Sequence, residues 1–164
     1  MKYLKLFLVL TLFIEVNALP VQTGHAEVSL IKGPYIDNKL AIGIKMDMQE
    51  NWHTYWKNPG DSGGPIKVNW LYDENIAEIS DTLWPAPELI PYPPLMTYGY
   101  NDFVIFPYLI TFNNKLVGNK ELNSNIEAKI DFLICDDICV PEKAYINTSL
   151  SEIVQDTKLT NWLN

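Results

Sequence analysis

The chain of 164 residues holds two histidines, two cysteines and little positive charge, with 12 lysine and arginine residues against 20 acidic ones. So acidic a chain has no basic patch to follow a phosphate backbone, which argues against nucleic acid as a partner. The acidity suits a basic partner surface or plain solubility. A four-ligand zinc centre would need both histidines beside both cysteines, a weak basis for one. No amphipathic pattern of three helical turns occurs before the C-terminus, and there is no internal repeat or low-complexity linker. These absences narrow the reading to one β-rich domain.

One stretch looks catalytic at first sight. The peptide from Gly60 to Pro65, inside "NPGDSGGP", is identical to the one around the nucleophile of trypsin-like proteases. A nucleophilic serine needs a histidine base and usually a carboxylate to orient it, held by a full two-barrel fold. Only 61 residues precede Ser62, and the only histidines are His25 and His53. Three glycines, two prolines, an Asn and an Asp are the composition of a turn between strands. A structural loop is the better reading.

The first 18 residues, "MKYLKLFLVLTLFIEVNA", place Lys2 and Lys5 before an apolar run and a small-residue cleavage site after Ala18. They read as a secretory signal peptide, too short for a comfortable membrane span. An uncleaved anchor with peripheral membrane contact is the other reading. Cleavage would remove two lysines and one glutamate, taking the net charge from −8 to −9. The remaining 146 residues suffice for one core, expected as a monomer, with residues 19–150 forming the domain and 151–164 a short helix or tail.

Beyond the leader the period is two. "KLAIGIKMDM", "NWHTYWK", "IKVNW", "FVIFPYLITF", "IEAKIDFLI" and "KAYINTSL" each read as a strand. Pro107 pushes its strand towards an edge or a bulge. Short alternating strands with Gly/Pro turns predict an all-β fold, a β-sandwich. The segment 83–100, "LWPAPELIPYPPLMTYGY", resists a strand label. Its five prolines stiffen a loop whose aromatics either pack on the sandwich end or cover a site.

Cys135 and Cys139 follow the clearest strand, in "FLICDDICVPE". A hairpin with "DDI" as its loop puts the two opposite each other, close to disulfide range. A staple closing so short a loop stabilises little. A disulfide at a solvent-reachable tip is open to attack by a partner's thiolate. Asp136 and Asp137 disfavour a thiolate beside them. Three readings stay open on the residues alone: thiol–disulfide exchange, an inert disulfide in an interaction module, and a Cu(I) site completed by His53 or Met96.

"WHTYWKNPGDSGGP", "WPAPELI", "YGYNDFVIFP" and "FLICDDICVPEKA" together resemble the amino-terminal periplasmic domain of the DsbD-type protein-disulfide reductases, including the suppressor-of-copper-sensitivity branch. The resemblance spans about residues 27–150. It implies an immunoglobulin-like β-sandwich in the periplasm whose catalytic pair is Cys135 and Cys139; separately, no cofactor is expected and copper is expected to be secondary or absent, since the sequence compels no third soft ligand. The resemblance also implies electrons received through a membrane-embedded thiol reductase and a thioredoxin-like domain. They pass to thioredoxin-like periplasmic proteins, such as disulfide isomerases or cytochrome c maturation proteins. Cys139 is implied as the cysteine that joins the partner, and Cys135 is expected to continue the buried-facing strand. The family's cap loop falls around Leu95–Tyr100, with Thr97 where a phenylalanine usually stands, so shielding is expected from Met96 and Tyr98 beside Thr97. Family members commonly separate the cysteines by more than the three residues present here. No membrane module follows, so a separate protein would complete the relay, and whether this chain is an enzyme by itself stays open.

His53 reads as a rim histidine or as a partner contact beside the cysteines. Glu142 reads as a solvated turn residue or as a docking contact. Trp52, Trp56, Trp70 and Trp84 are expected to fill the core or its ends.

Overall fold

Runs of alternating apolar and polar residues become strands throughout the computed structural model, which describes residues 18–113 and 121–163. The signal-peptide reading lies outside these residues, apart from Ala18 at its end. The elements are β1 (Val21–Gln22), β2 (Ala26–Ile36), β3 (Lys39–Met48), β4 (His53–Gly60), β5 (Lys67–Tyr72) and β6 (Ile76–Ile79). They continue with β7 (Glu88–Tyr92), β8 (Leu95–Asn101), β9 (Phe103–Phe112), β10 (Asn125–Cys135), β11 (Cys139–Ser149), β12 (Val154–Gln155) and a short helix α1 (Lys158–Trp162). One sheet runs β1-β2-β3-β9-β6 with β12 beside β2; the other runs β11-β10-β4-β8-β7 with β5 beside β10.

The inner faces of these sheets supply one core, in which Ile42, Ile44, Phe106, Ile110, Ile126 and Ile130 are at most 1% exposed. Burial of such side chains is worth roughly 1.5–3 kcal/mol each, the main term set against the cost of ordering so many short strands. The four tryptophans named above pack against that core from its margins. Trp84 and Tyr100 both meet the Phe106 ring edge-on.

Two proline-bearing segments show how sheet edges accommodate a missing N–H. Pro107 lies on β9 opposite Gly43 of β3. Its carbonyl accepts the Leu83 N–H, so its outward side faces the irregular run after β6 instead of a full strand. Segment 83–100, which resisted a strand label, enters a β-hairpin at Glu88: β7–β8, turning at Pro93–Pro94. Its prolines are tolerated because β7 is the last strand of its sheet, where a donor facing solvent is not needed. At the other end, the chain beyond β11 is docked, with Leu159 of α1 fully buried against Ile31, Ala41 and Ile105.

Phe106→Ala should cost about 3–5 kcal/mol of unfolding free energy, because it leaves a cavity between Trp84 and Tyr100. Urea unfolding of the oxidised protein checks this, and a loss under about 1 kcal/mol would mean that the site collapses freely.

Candidate functional site

The site is built on one register. β10 and β11 pair without a break from Asn125↔Ser149 to Cys135↔Cys139, and Asp136, Asp137 and Ile138 form the tip. The "DDI" hairpin expected from the spacing is therefore present. Directly opposed cysteines share a face of the sheet, and these two are joined as a disulfide with Cα atoms 4.1 Å apart. On its other edge β10 has two partners laid end to end: β5 pairs with Ile126–Asp131, and β4 pairs at Cys135↔His53. The loop between β4 and β5, which contains "DSGGP", must therefore cross beside the last residues before Cys135.

Alternation decides what surrounds the sulfurs. Ile134 points into the core, so Cys135 projects from the outer face. It is nonetheless only 1% exposed, whereas Cys139 is exposed. Cys135 is buried, as expected of it, but on the face away from the core. The cover comes from β4, where His53 lies directly across and Tyr55 one diagonal step away on the same face. The Tyr55 hydroxyl donates to Cys135 Sγ at 2.7 Å and lies 3.3 Å from Cys139 Sγ. Burial pushes the Tyr55 phenol above its ordinary value, partly offset by hydrogen bonding from Ser62. It stays a neutral donor at physiological pH.

The hairpin β7–β8 closes the pocket, a cavity of about 160 Å³ lined by Leu95, Thr97 and Ile90 together with His53, Tyr55, Ser62 and the cysteines. Gly99 lies opposite Tyr55, and a Cβ there would meet the Thr54 carbonyl oxygen at 2.1 Å. Thr97 is 2% exposed, with its hydroxyl 2.9 Å from Ser62 Oγ. Met96 and Tyr98 were expected nearest the sulfurs. The period of two turns them to the other face of β8, where both are exposed and outside the cavity. Leu95 and Thr97 take the inward positions.

His53 meets the Tyr55 ring edge-on, with centroids 5.3 Å apart. Burial lowers its pKa, against an opposing pull from Asp136. Glu142 sits three residues past Cys139 but is turned away from solvent, 9% exposed. His25 Nδ1 lies 2.5 Å from Glu142 Oε1, and the His25 backbone N–H donates to Oε2 at 3.3 Å. Burial raises the Glu142 pKa, but hydrogen bonds from Thr23 and His25 outweigh it and hold the carboxyl below its ordinary value. With His25 stacked on Trp52, this pair fastens the start of β2 to β11. Ser62 has Thr97 as its hydroxyl partner, not a histidine, so nothing of a protease triad is assembled. Among the described residues there is no group of three or more His, Cys, Asp or Glu placed to hold a metal ion. Nor is any described helix long and apolar enough to cross a membrane.

A two-sheet β-sandwich carrying an accessible disulfide at a hairpin tip, backed by a buried phenol, defines a thiol–disulfide exchange domain. The family model described as "Thiol:disulfide interchange protein DsbD, N-terminal" matches residues 23–150, and the chain belongs to that family. The crystal structure of the N-terminal periplasmic domain of ScsB from Proteus mirabilis is similar in fold, with a TM-score of 0.60 and 22% sequence identity. The match covers 79% of this chain and 48% of that one, so this chain spans about half its length. The shared fold is the immunoglobulin-like sandwich that the resemblance implied. No curated protein matches the chain.

Tyr55 was missed as a site residue by sequence reasoning. The signal was available in the alternation of "WHTYWK", which puts His53 and Tyr55 on one face, but the partner strand was not.

Because the folded pKa of His53 lies below its ordinary 6.5, the unfolded chain takes up this proton first as pH falls. Its contribution to stability is complete above about pH 6.5 and is lost as pH drops towards the folded value. Urea unfolding at stepped pH should therefore show a decline below about pH 6.5 that His53→Asn makes shallower. An unchanged slope in the variant would mean that His53 is solvated in the native state.

Proposed function

We propose that this domain passes electrons between thioredoxin-like proteins of the periplasm by cycling Cys135 and Cys139 between disulfide and dithiol. The observation that carries the reading is the asymmetry of the pair: Cys139 is exposed, while Cys135 is buried and accepts the Tyr55 hydroxyl. In the receiving half-cycle a donor thiolate attacks Cys139 Sγ. A mixed disulfide forms, and the Cys135–Cys139 bond breaks with its electron pair left on Cys135 Sγ, where the Tyr55 O–H meets the new charge. The donor's second thiol then attacks its own sulfur in the mixed disulfide, releasing the domain as a dithiol. The delivering half-cycle reverses these steps on an oxidised acceptor, with Cys139 attacking and Cys135 resolving.

The donor is a membrane-embedded thiol reductase acting through a thioredoxin-like module, and the acceptors are oxidised periplasmic thiol proteins. This assignment is supported by the family and by the periplasmic origin of the similar ScsB domain. Leu95 and Thr97 form the shield over the pair. Met96, Tyr98 and Ile138, all exposed, provide apolar surface on the two hairpins that a docking partner would cover. His53 lies at the rim of that contact. Glu142, held by His25, supports β11 from within instead of meeting the partner.

Single cysteine variants mixed with an oxidised thioredoxin-like protein, itself carrying one exposed reactive cysteine, test the assignment. Cys135→Ser should form a stable adduct through Cys139, and Cys139→Ser should form little or none. The reverse pattern would exchange the two roles, and no adduct from either variant would contradict exchange.

A further inference from the structure

Sheet pairing leaves an opening close to the disulfide. On the edge of β10 away from β11, β5 pairs up to Asp131 and β4 pairs at Cys135, so residues 132–134 are paired with β11 alone. Across this interval the Thr54 hydroxyl donates to the Leu133 carbonyl at 2.9 Å. The chain linking β4 to β5 lies against it: a Cβ on Gly64 would be 3.6 Å from Leu133 Cδ1. Beside that chain is a groove of about 280 Å³, with Leu133, Pro141, Gly64 and Pro65 among its walls. Leu133 and Pro141 are a cross-strand pair, two residues before Cys135 and two after Cys139. By the period of two they stand on the same outer face as the sulfurs, about 7 Å further along it. The groove continues the surface that carries the disulfide.

Charge is arranged along the same face. Lys67 of β5 and Lys143 of β11 line the groove and stand opposite Asp131, one on each side of it. Lys143 Nζ lies 2.8 Å from Asp131 Oδ1, and Lys67 is in no ion pair among the described residues. Two lysines against one aspartate leave this end positive, in a chain of net charge −8. Glu142 also borders the groove, but its carboxylate is held by His25. Beyond the cysteines, at the other end, Asp136 and Asp137 are exposed and make the hairpin tip negative. Leu133 and Pro65 are half-buried and Pro141 is exposed, so the apolar walls are open to cover. An apolar groove with lysines at one end and aspartates beyond the sulfurs at the other fits a segment of matching polarity.

We propose that this groove seats the partner's chain beside its reacting cysteine. The occupant is an extended segment whose apolar side chain, two residues from that cysteine, covers Leu133 and Pro141, and whose carboxylate two residues further on reaches Lys67. The inference rests on the exchange reading and deepens it by naming the kind of segment the site accepts. In a mixed disulfide on Cys139 Sγ, an extended partner advances about 3.3 Å per residue. Two residues therefore span the step from the sulfur to Leu133, and four reach the lysines. The reverse orientation would bring the carboxylate to Asp136 and Asp137. A volume of about 280 Å³ is less than that of clefts enclosing compact small molecules, and suits side chains of a bound segment.

Peptide disulfides test the groove. Each peptide carries one cysteine joined to thionitrobenzoate, with the same residues on both sides so that chain direction does not matter. The first has Leu two residues and Glu four residues from the cysteine; the second has Ala for Leu, and the third Lys for Glu. The reduced domain is mixed with each, and thionitrobenzoate release is followed. Cys139 attacks the peptide sulfur and thionitrobenzoate leaves with the electron pair. Cys135 then attacks Cys139, re-forming the disulfide and freeing the peptide thiol. The Leu peptide should react about fivefold to thirtyfold faster than the Ala peptide, the effect of burying its additional apolar surface. Glu should exceed Lys about threefold to tenfold at low salt, and by less at high salt. Lys67→Glu should abolish or reverse the charge preference and keep the preference for Leu, while Leu133→Ala should weaken the latter. With cysteine amide in place of the peptide, which does not extend to the groove, both variants should match the wild type. Equal rates across the wild-type peptide series, or a charge preference that Lys67→Glu leaves untouched, would overturn the proposal. So would a dimer in sedimentation whose formation removes the peptide preference, since a second copy would then fill the groove. Reaction of the cysteine amide disulfide without any peptide preference sinks the groove alone. If the reduced domain releases thionitrobenzoate from neither, the exchange reading falls and this inference with it.

Discussion

The pairing of one residue, Cys135, with Cys139 on one edge and His53 on the other is the constraint on which the site depends. β10 must be in register with β11 for the sulfurs to meet, and with β4 for Tyr55 to lie over them. A slip of one position would turn Cys135 into the core and Ile134 to the surface. The alternating apolar row from Ile126 to Ile134 opposes any such slip, because every one of those side chains is buried. The chemistry at the tip is thus held in place by hydrophobic burial along the whole strand. No element at the tip has to fix the register alone.

Reactivity and protection are divided between the two cysteines by the same geometry. The tip loop leaves Cys139 open, while Tyr55, His53 and the β7–β8 hairpin cover Cys135. In the proposed exchange, a sulfur open to attack and a covered leaving sulfur let the domain release one partner before engaging the next. The short loop between the cysteines contributes little stability as a staple, so opening it costs the fold little. The hydrophobic core lies between the sheets, on the other face of β10 from the disulfide.

Much of this was legible in the sequence. The row from Ile126 to Ile134 announces its strand, and "CDDIC" after it announces a tight hairpin with facing cysteines. "NPGDSGGP" reads as a turn, and residues 61–65 are irregular loop, whereas Asn58, Pro59 and Gly60 finish β4. Three features escaped. The prolines of segment 83–100 masked a hairpin, because proline argues against strands in general while an edge strand tolerates it. That error carried over to Met96 and Tyr98, since only strand pairing reveals that Leu95 and Thr97 face inward. Tyr55, Ser62 and Thr97 come together from three separate elements, and local pattern carries no information on which strands become neighbours. Glu142 was read as a solvated turn residue or docking contact, because its partner His25 lies 117 residues away.

The account stands on the disulfide being a reversible redox couple of the folded protein. Equilibration of the purified domain against graded dithiol-to-disulfide buffers, with thiol content and near-ultraviolet circular dichroism followed together, measures this directly. The account predicts one two-electron transition, freely reversed, with native dichroism on both sides. A pair that stays oxidised until denaturant unfolds the sandwich would contradict it.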